Sequence, residues 1–381
     1  MSTSNPIDRS PSPRRFRFSL RTLLIVATLL SIVLGVLANR LIDARNQFEV
    51  VRRVKNAGGW SYYCVPYELH VGCGEANSFS FQSVQHIELG GLKNTDEELK
   101  LLSLLPRLKS LEVWSKFSDE GVASIARISN LEHLSFSTKS GATVTKGLSQ
   151  FGNLPRLKML KLVGKRFDDD LLASLGEMPR VHALTLTDTG ITSAGLALLR
   201  NFPNLNLLTL ERNANLDRDC LSHIAQLQRL EHLTISQSLA DSTDLNQLAK
   251  LKSLRTFHLS GLENYKDKEI DFLKDLPQLQ MVWIFNCPIT DDGVRQLIEL
   301  PELKNLALSS TQITDACGTE IAKMPKLERL SFHNSKITIT GLRAACSAKR
   351  LKHLQIDADL SHEEEQILRQ ANPQVHVVER P

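Results

Sequence analysis

The sequence predicts an α/β solenoid: short parallel strands alternating with helices, tethered by one N-terminal apolar helix. Three observations predict it. A unit of about 24 residues recurs, clearest at Val181–Leu205 (VHALTLTDTGITSAGLALLRNFPNL) and again from Leu279 and Leu303. Within each unit the apolar spacing changes from every second residue to helical spacing. Ahead of the array lies one uncharged apolar stretch, Leu23–Ala38, with eleven Leu, Ile or Val.

Charge is informative once located. Of 46 basic and 42 acidic residues, five Arg and one Asp precede residue 39, so the remainder is balanced. A neutral array lacks the basic footprint of a nucleic-acid binder, and no nucleic-acid partner is expected.

Residues 1–19 form a basic tail rich in Ser, Pro and Arg, expected to be disordered over its first 15 positions. Residues 20–38 then read as a transmembrane signal-anchor helix. At about 1.5 Å per residue the uncharged core falls slightly short of a bilayer of about 30 Å. Leu20–Thr22 lengthens it, with Arg21 reaching outwards. Arg14, Arg15, Arg17 and Arg21 outnumber Arg40 and Arg45 behind the segment, which places the N-terminus in the cytoplasm and the rest outside. Two rival readings stand: a cleaved signal peptide, with Val36 and Ala38 as its small-residue site, and a buried soluble helix.

Residues 39–59 contain helix formers, no Pro and a closing Gly58-Gly59, and read as a polar stalk helix. Residues 60–83 are expected to cap the array, because an open solenoid end would expose its apolar core. Trp60–Val65 is expected as a first strand. If the domain is exported, Cys64 and Cys73 are candidates for a disulfide across a Pro- and Gly-containing loop.

The repeats occupy residues 84–381, about twelve copies with a closing strand. They start at Val84, Leu108, Leu131, Leu157, Val181, Leu205, Leu230, Leu254, Leu279, Leu303, Leu327 and Leu351. Each opens L-x-x-L-x-L. In the fifth copy Leu184 and Leu186 point to the core while their neighbours point away. Ile191-Thr192-Ser193 follows, where a hydroxyl is expected to accept from the free N–H groups of a starting helix. Leu196, Leu199 and Phe202 then share a helical face, and Pro203 ends it. Eight residues after the start stands a small polar residue: Thr189, Asn213, Ser238, Cys287, Thr311 or Ser335. Departures are Lys116, Lys139, Lys165, Leu92 and Leu262 at that place, and copies seven and eight, where the turn motif is lost and irregularity is expected. The last copy closes with a helix at 363–370 and a strand at 375–378.

This pattern resembles the leucine-rich repeat, over residues 84–378. The ITDxGL segment resembles the subtype with α-helices on the convex face, shared by ribonuclease-inhibitor-like proteins and F-box receptors. The FSLRTLL segment, apolar span, stalk and GG-W-S-Y-Y resemble membrane-anchored leucine-rich-repeat proteins of bacterial envelopes. The resemblance implies a curved horseshoe with parallel strands on the concave face and helices outside.

Candidate binding residues lie on the concave strands, at positions flanking each buried L-x-L: Trp114, His258, Met281, Trp283, Phe285, Ser309, Arg329 and His333. Met281, Trp283 and Phe285 form a run of large apolar groups where neighbouring copies carry Thr256, His258, Ser260 and Asn305, Ala307, Ser309. Such clusters mark interaction surfaces. His86, His133, His232, His258, His333 and His353 recur on the same face, but strand spacing separates most pairs, so no metal or other cofactor is expected. No P-loop, GxGxxG, HExxH, GxSxG or CxxC occurs, and catalysis is not expected. The reading is a membrane-anchored scaffold binding a protein or surface ligand. A substrate adaptor like the F-box proteins and a self-associating envelope protein are its rivals.

Overall fold

The alternation of the L-x-L is realised in most copies as a five-residue strand with buried and open positions in turn. In Ser110–Trp114 the pattern is open, buried, open, buried, open. A computed structural model of the chain describes residues 20–56, 60–62, 84–90, 95–138, 147–239, 245–357 and 360–379. Strand β1 is Trp60–Tyr62. Strands β2 to β14 follow at His86–Gly90, Ser110–Trp114, His133–Ser137, Met159–Val163, Ala183–Thr187, Leu207–Glu211, His232–Ser236, Thr256–Ser260, Met281–Phe285, Asn305–Ser309, Arg329–His333, His353–Ile356 and His376–Glu379. They form one 14-stranded sheet in sequence order. Only β1 runs antiparallel, against β2. One parallel strand per repeat, with a helical segment returning on one side of the sheet, is the geometry of a leucine-rich-repeat solenoid.

The core is a continuous row of Leu, Ile, Val and Phe, most of them fully buried. Burying each such side chain contributes roughly 1.5–3 kcal/mol. A single repeat has no second layer to cover its apolar face, so stability comes from stacking.

Three devices join successive repeats, and each explains a piece of the motif. The first is the bend after the strand. Asp188, Arg212, Gln237, Asn286, Ser310 and Asn334 all have φ between 44° and 54°. This left-handed conformation turns the chain outwards while the N–H still reaches the next strand. Gln237 N–H, for example, donates to the Ser260 carbonyl at 2.9 Å. The parallel ladder thereby gains one rung per repeat.

The second device is the small polar residue. Asn213 Oδ1 accepts from the Thr189 N–H at 3.0 Å and hydroxyl at 2.6 Å, while its Nδ2 donates to the Leu186 carbonyl at 2.9 Å. Ser238 Oγ accepts from the Asn213 N–H at 3.1 Å. These bonds satisfy backbone groups that the strand leaves unpaired inside the core. Among the early departures Lys116 is exposed. The role passes to the buried Ser115, whose hydroxyl donates to the Leu89 carbonyl at 3.2 Å. Lys165 is exposed and Leu262 is buried. Leu92 and Lys139 lie outside the described residues.

The third device explains I-T-D-x-G. The Asp of one repeat takes two hydrogen bonds from the Thr of the next. Asp291 accepts from the Thr314 N–H at 2.8 Å and hydroxyl at 2.6 Å. Asp315 accepts both from Thr338 at 2.6 Å. Asp267 with Thr290 and Asp169 with Thr192 repeat the arrangement. The same carboxylates sit over the glycine of the next repeat. A Cβ at Gly195 would overlap Asp169, and one at Gly293 would overlap Asp267. This corrects the expected role of Thr192, whose hydroxyl donates to Asp169 and makes no cap bond. Thr290 does both, accepting from the Asp292 N–H at 3.3 Å.

In copies seven and eight, where irregularity was expected, the described helical segments are 3-10, at Leu245–Lys250 and Asp267–Asp275, and the strands keep the parallel register. Copy three, the longest repeat, has one at Gly147–Asn153, while copies one, five and nine carry 3-10 runs that follow a short α-helix, at Leu102–Leu104, Ala197–Asn201 and Leu297–Glu299. At the far end Ser361 and Glu364 form a capping box for the helix His362–Ala371, and β14 closes the sheet.

The N-terminal helix is one unbroken element of 37 residues, Leu20–Asn56. It runs the expected span and stalk together. Its last turns differ from a free stalk: Val50, Val51 and Val54 are buried in the solenoid core, and Gln47 Oε1 accepts from the Val84 N–H at 3.2 Å. Among the described residues it is the one helix long and apolar enough to cross a membrane. Cys64 and Cys73, with most of the expected cap at 60–83, lie outside the described residues.

Candidate binding face

Up to three side chains per strand project from the open face, and the parallel register aligns them in rows. Thr256, Met281, Asn305, Arg329 and His353 share one row; His258, Trp283, Ala307 and Ser331 the next; Ser260, Phe285, Ser309 and His333 the third. A strand of large groups, β10, and a strand with Arg329 and His333 at its ends, β12, therefore flank one of small groups. Met281, Trp283 and Phe285 make a ridge on β10. Asn305, Ala307 and Ser309 make a floor on β11. Arg329, Ser331 and His333 make the far wall on β12. With strands about 4.8 Å apart, the trough is roughly 10 Å from wall to wall.

The ridge is braced from its other side. The His258 ring meets Trp283 edge-on at 5.7 Å between centroids and Phe285 at 5.1 Å. Burial lowers the His258 pKa and holds its imidazole neutral, and its buried Nε2 has no partner among the described residues. Trp283 nevertheless remains 38% exposed. On the far wall the His333 Nε2 and Ser331 Oγ are hydrogen-bonded at 2.7 Å. Arg329 is exposed and, among the described residues, enters no ion pair.

The structure thus brings together seven of the eight residues expected from sequence. Trp114 stands apart on β3, seven strands from β10, or about 34 Å. Its Nε1 donates to Glu112 Oε2 at 3.1 Å, and Lys161 Nζ lies 5.5 Å from its ring centroid. Sequence reasoning missed Met159, 44% exposed on β5, which the register aligns with the buried Ala183 and the half-buried Leu207. Reading the first open position of every strand, rather than searching for Trp, would have found this second apolar row.

Among the described residues no group of three or more His, Cys, Asp or Glu is placed to hold a metal ion. The register sets His232 beside Thr256 and His258 beside Thr234, a diagonal offset of two residues. Burial pushes the thiols of Cys220 and Cys317 up to about 12, and those of Cys287 and Cys346 up to about 11. These buried cysteines stay protonated and act as small core residues.

The repeat, the single parallel sheet and the open ridged face define the class: a leucine-rich-repeat solenoid. No family model matches the chain, and no curated protein matches it. Solved structures with similarity include an internalin from Listeria monocytogenes, at 16% identity over 74% of this chain and 92% of that one, with a TM-score of 0.45. An internalin C2 from the same organism has 22% identity over 62% and 83%, with a TM-score of 0.36. A leucine-rich-repeat protein from Leptospira interrogans has 18% identity over 77% and 89%, with a TM-score of 0.37. The class rests on this chain's own register and hydrogen bonding.

Proposed function

We propose that this chain is a membrane-anchored binding scaffold. The apolar part of the N-terminal helix spans the membrane with its N-terminus in the cytoplasm. The solenoid stands outside and binds a protein through the open face of its sheet, without chemical turnover. One observation carries the reading: Trp283 is 38% exposed on that face, with Met281 and Phe285 beside it. Trp, Met and Phe are favoured at interface centres, and leaving Trp in water forfeits a large burial energy. The Arg residues ahead of the span support the orientation.

A photocrosslinking side chain placed at Trp283, and separately at Lys323 on the helical side, tests the binding face in intact cells. One discrete adduct from position 283 and none from 323 is expected. Equal, diffuse labelling from both positions sinks the reading. An adduct of twice the chain mass reassigns the face to self-association. Protease added outside the cytoplasmic membrane is expected to remove a C-terminal tag; protection of the tag until that membrane is lysed reverses the orientation.

A further inference from the structure

We infer that the trough between β10 and β12 accepts an extended peptide segment that presents a carboxylate side chain next to a bulky apolar one. The inference rests on the reading of the open face as a binding surface and names the partner's chemistry.

The two walls differ in kind. One is Met281, Trp283 and Phe285, apolar and braced by His258. The other carries Arg329, exposed and, among the described residues, in no ion pair. Among the described residues no acid stands on the open face of strands β8 to β13 to neutralise it. Glu211 on β7 is five strands from Arg329, about 24 Å, and is already paired with Arg212. The nearest acids on adjoining segments are engaged. Glu328 pairs with Lys352 at 2.9 Å, and Asp357 accepts from the Asn334 N–H at 2.5 Å. An exposed guanidinium across the trough from an aromatic ridge selects a carboxylate, because its fork matches the two oxygens.

The floor sets the shape of the occupant. Ala307 and Ser309 leave depth between the walls, and Asn305 offers both a donor and an acceptor to a peptide backbone. Five residues of strand give a length of about 16 Å. A width of about 10 Å admits one extended chain along the strands. Lying on its edge, that chain sends successive side chains to opposite walls, since the period of an extended chain is two. The apolar residue facing Trp283 and the acid facing Arg329 are therefore an odd number of positions apart. A neutral glycan would stack on Trp283 but make no use of the cation.

The test pans a random 12-residue peptide library on phage against the full chain in nanodiscs, then measures synthetic copies of enriched peptides by fluorescence anisotropy. Enriched peptides are expected to carry Asp or Glu one or three residues from Phe, Leu, Trp or Tyr. Arg329→Gln is expected to weaken them about tenfold or more, the scale of one lost charge-assisted contact. Arg329→Glu is expected to turn the selection toward Lys and Arg, and Glu112→Gln to change nothing. All these side chains are open to solvent, so circular dichroism of the variants should match the parent. Peptides that depend on Trp283 but ignore both Arg329 variants overturn the acidic chemistry and leave the binding face standing. Failure of enrichment, with Trp283-dependent binding to an array of neutral glycans instead, overturns the peptide. Binding of neither kind, or binding indifferent to Trp283→Ala, overturns this inference and the reading beneath it.

Discussion

At the scale of single residues, the motif positions are dictated by what the neighbouring repeat places against them. Gly293 illustrates this. A Cβ there would stand 2.5 Å from Ile289 Cγ2 and overlap the Asp267 carboxylate. Gly293→Ala is expected to cost about 1–3 kcal/mol through overpacking. Gly90→Ala, where nothing lies within 4 Å, should stay within about 0.5 kcal/mol. Thermal unfolding of the two variants in the same detergent decides the point; equal shifts would refute the seat. The bend after each strand gives a converse case. Gln237 adopts φ 49° although Gln has no special tolerance for it. Gln237→Gly should raise stability by about 0.5–1 kcal/mol, the left-handed penalty less the entropy of glycine. Asn286→Gly should gain less, because Asn tolerates that conformation. A loss of stability in Gln237→Gly would show that its side chain does more than the backbone account allows.

At the scale of the element, the Asp-to-Thr clamp ties each helical segment to the next. Burial raises the Asp315 pKa, but the hydroxyl and N–H of Thr338 and the N–H of Gly341 outweigh it and hold the carboxyl below its ordinary range. The sign follows directly. A folded pKa below the unfolded one contributes stability that is complete above the ordinary carboxylate range. It is lost as pH falls through the lowered folded value. Asp315→Asn keeps the shape but not two acceptors, and should cost about 1–2 kcal/mol at neutral pH. The difference between parent and variant should shrink in acid. Urea unfolding across pH checks this, and a gap that widens in acid would reverse the assignment. The clamp was only half legible in the sequence. I-T-D reads as a helix start within one repeat, whereas its Asp acts on the repeat that follows. No spacing within one unit reveals a partner 23 residues away.

At the scale of the whole molecule, the apolar N-terminal helix and the cover of the first repeats are one element. The same helix that is long and apolar enough to span a membrane ends by burying Val50, Val51 and Val54 in the first repeats. A chain beginning at Asn39 should keep the parent's unfolding midpoint without detergent, because the cap remains. A chain beginning at Trp60 uncovers the first repeat and loses roughly 1.5–3 kcal/mol for each of the three valines. Hydrogen exchange should then show the amides of β2 and β3 losing protection first. Equal protection in both truncations would show that the helix end is not the cap. The helix enters the core without a break, so the direction of its apolar part is fixed relative to the first repeats.

The repeat period, the strand positions, the polar residue after the strand in six copies and the run Met281, Trp283 and Phe285 on the open face were all determined by the sequence alone. Each depends on local spacing, and a period-two strand or a 24-residue unit is visible without knowing what touches it. The trough was not, although Asn305, Ala307 and Arg329 were in plain view. A trough exists only once the register sets a strand of small side chains between the large groups of β10 and the Arg329 and His333 of β12. Likewise Trp114 was legible as an exposed aromatic, but only the order of strands places it seven positions from the ridge. The burial of the stalk's last turns was decided at the same level. Val50, Val51 and Val54 have the spacing of any amphipathic helix, and only the open end of the stacked array gives that face an apolar surface to cover.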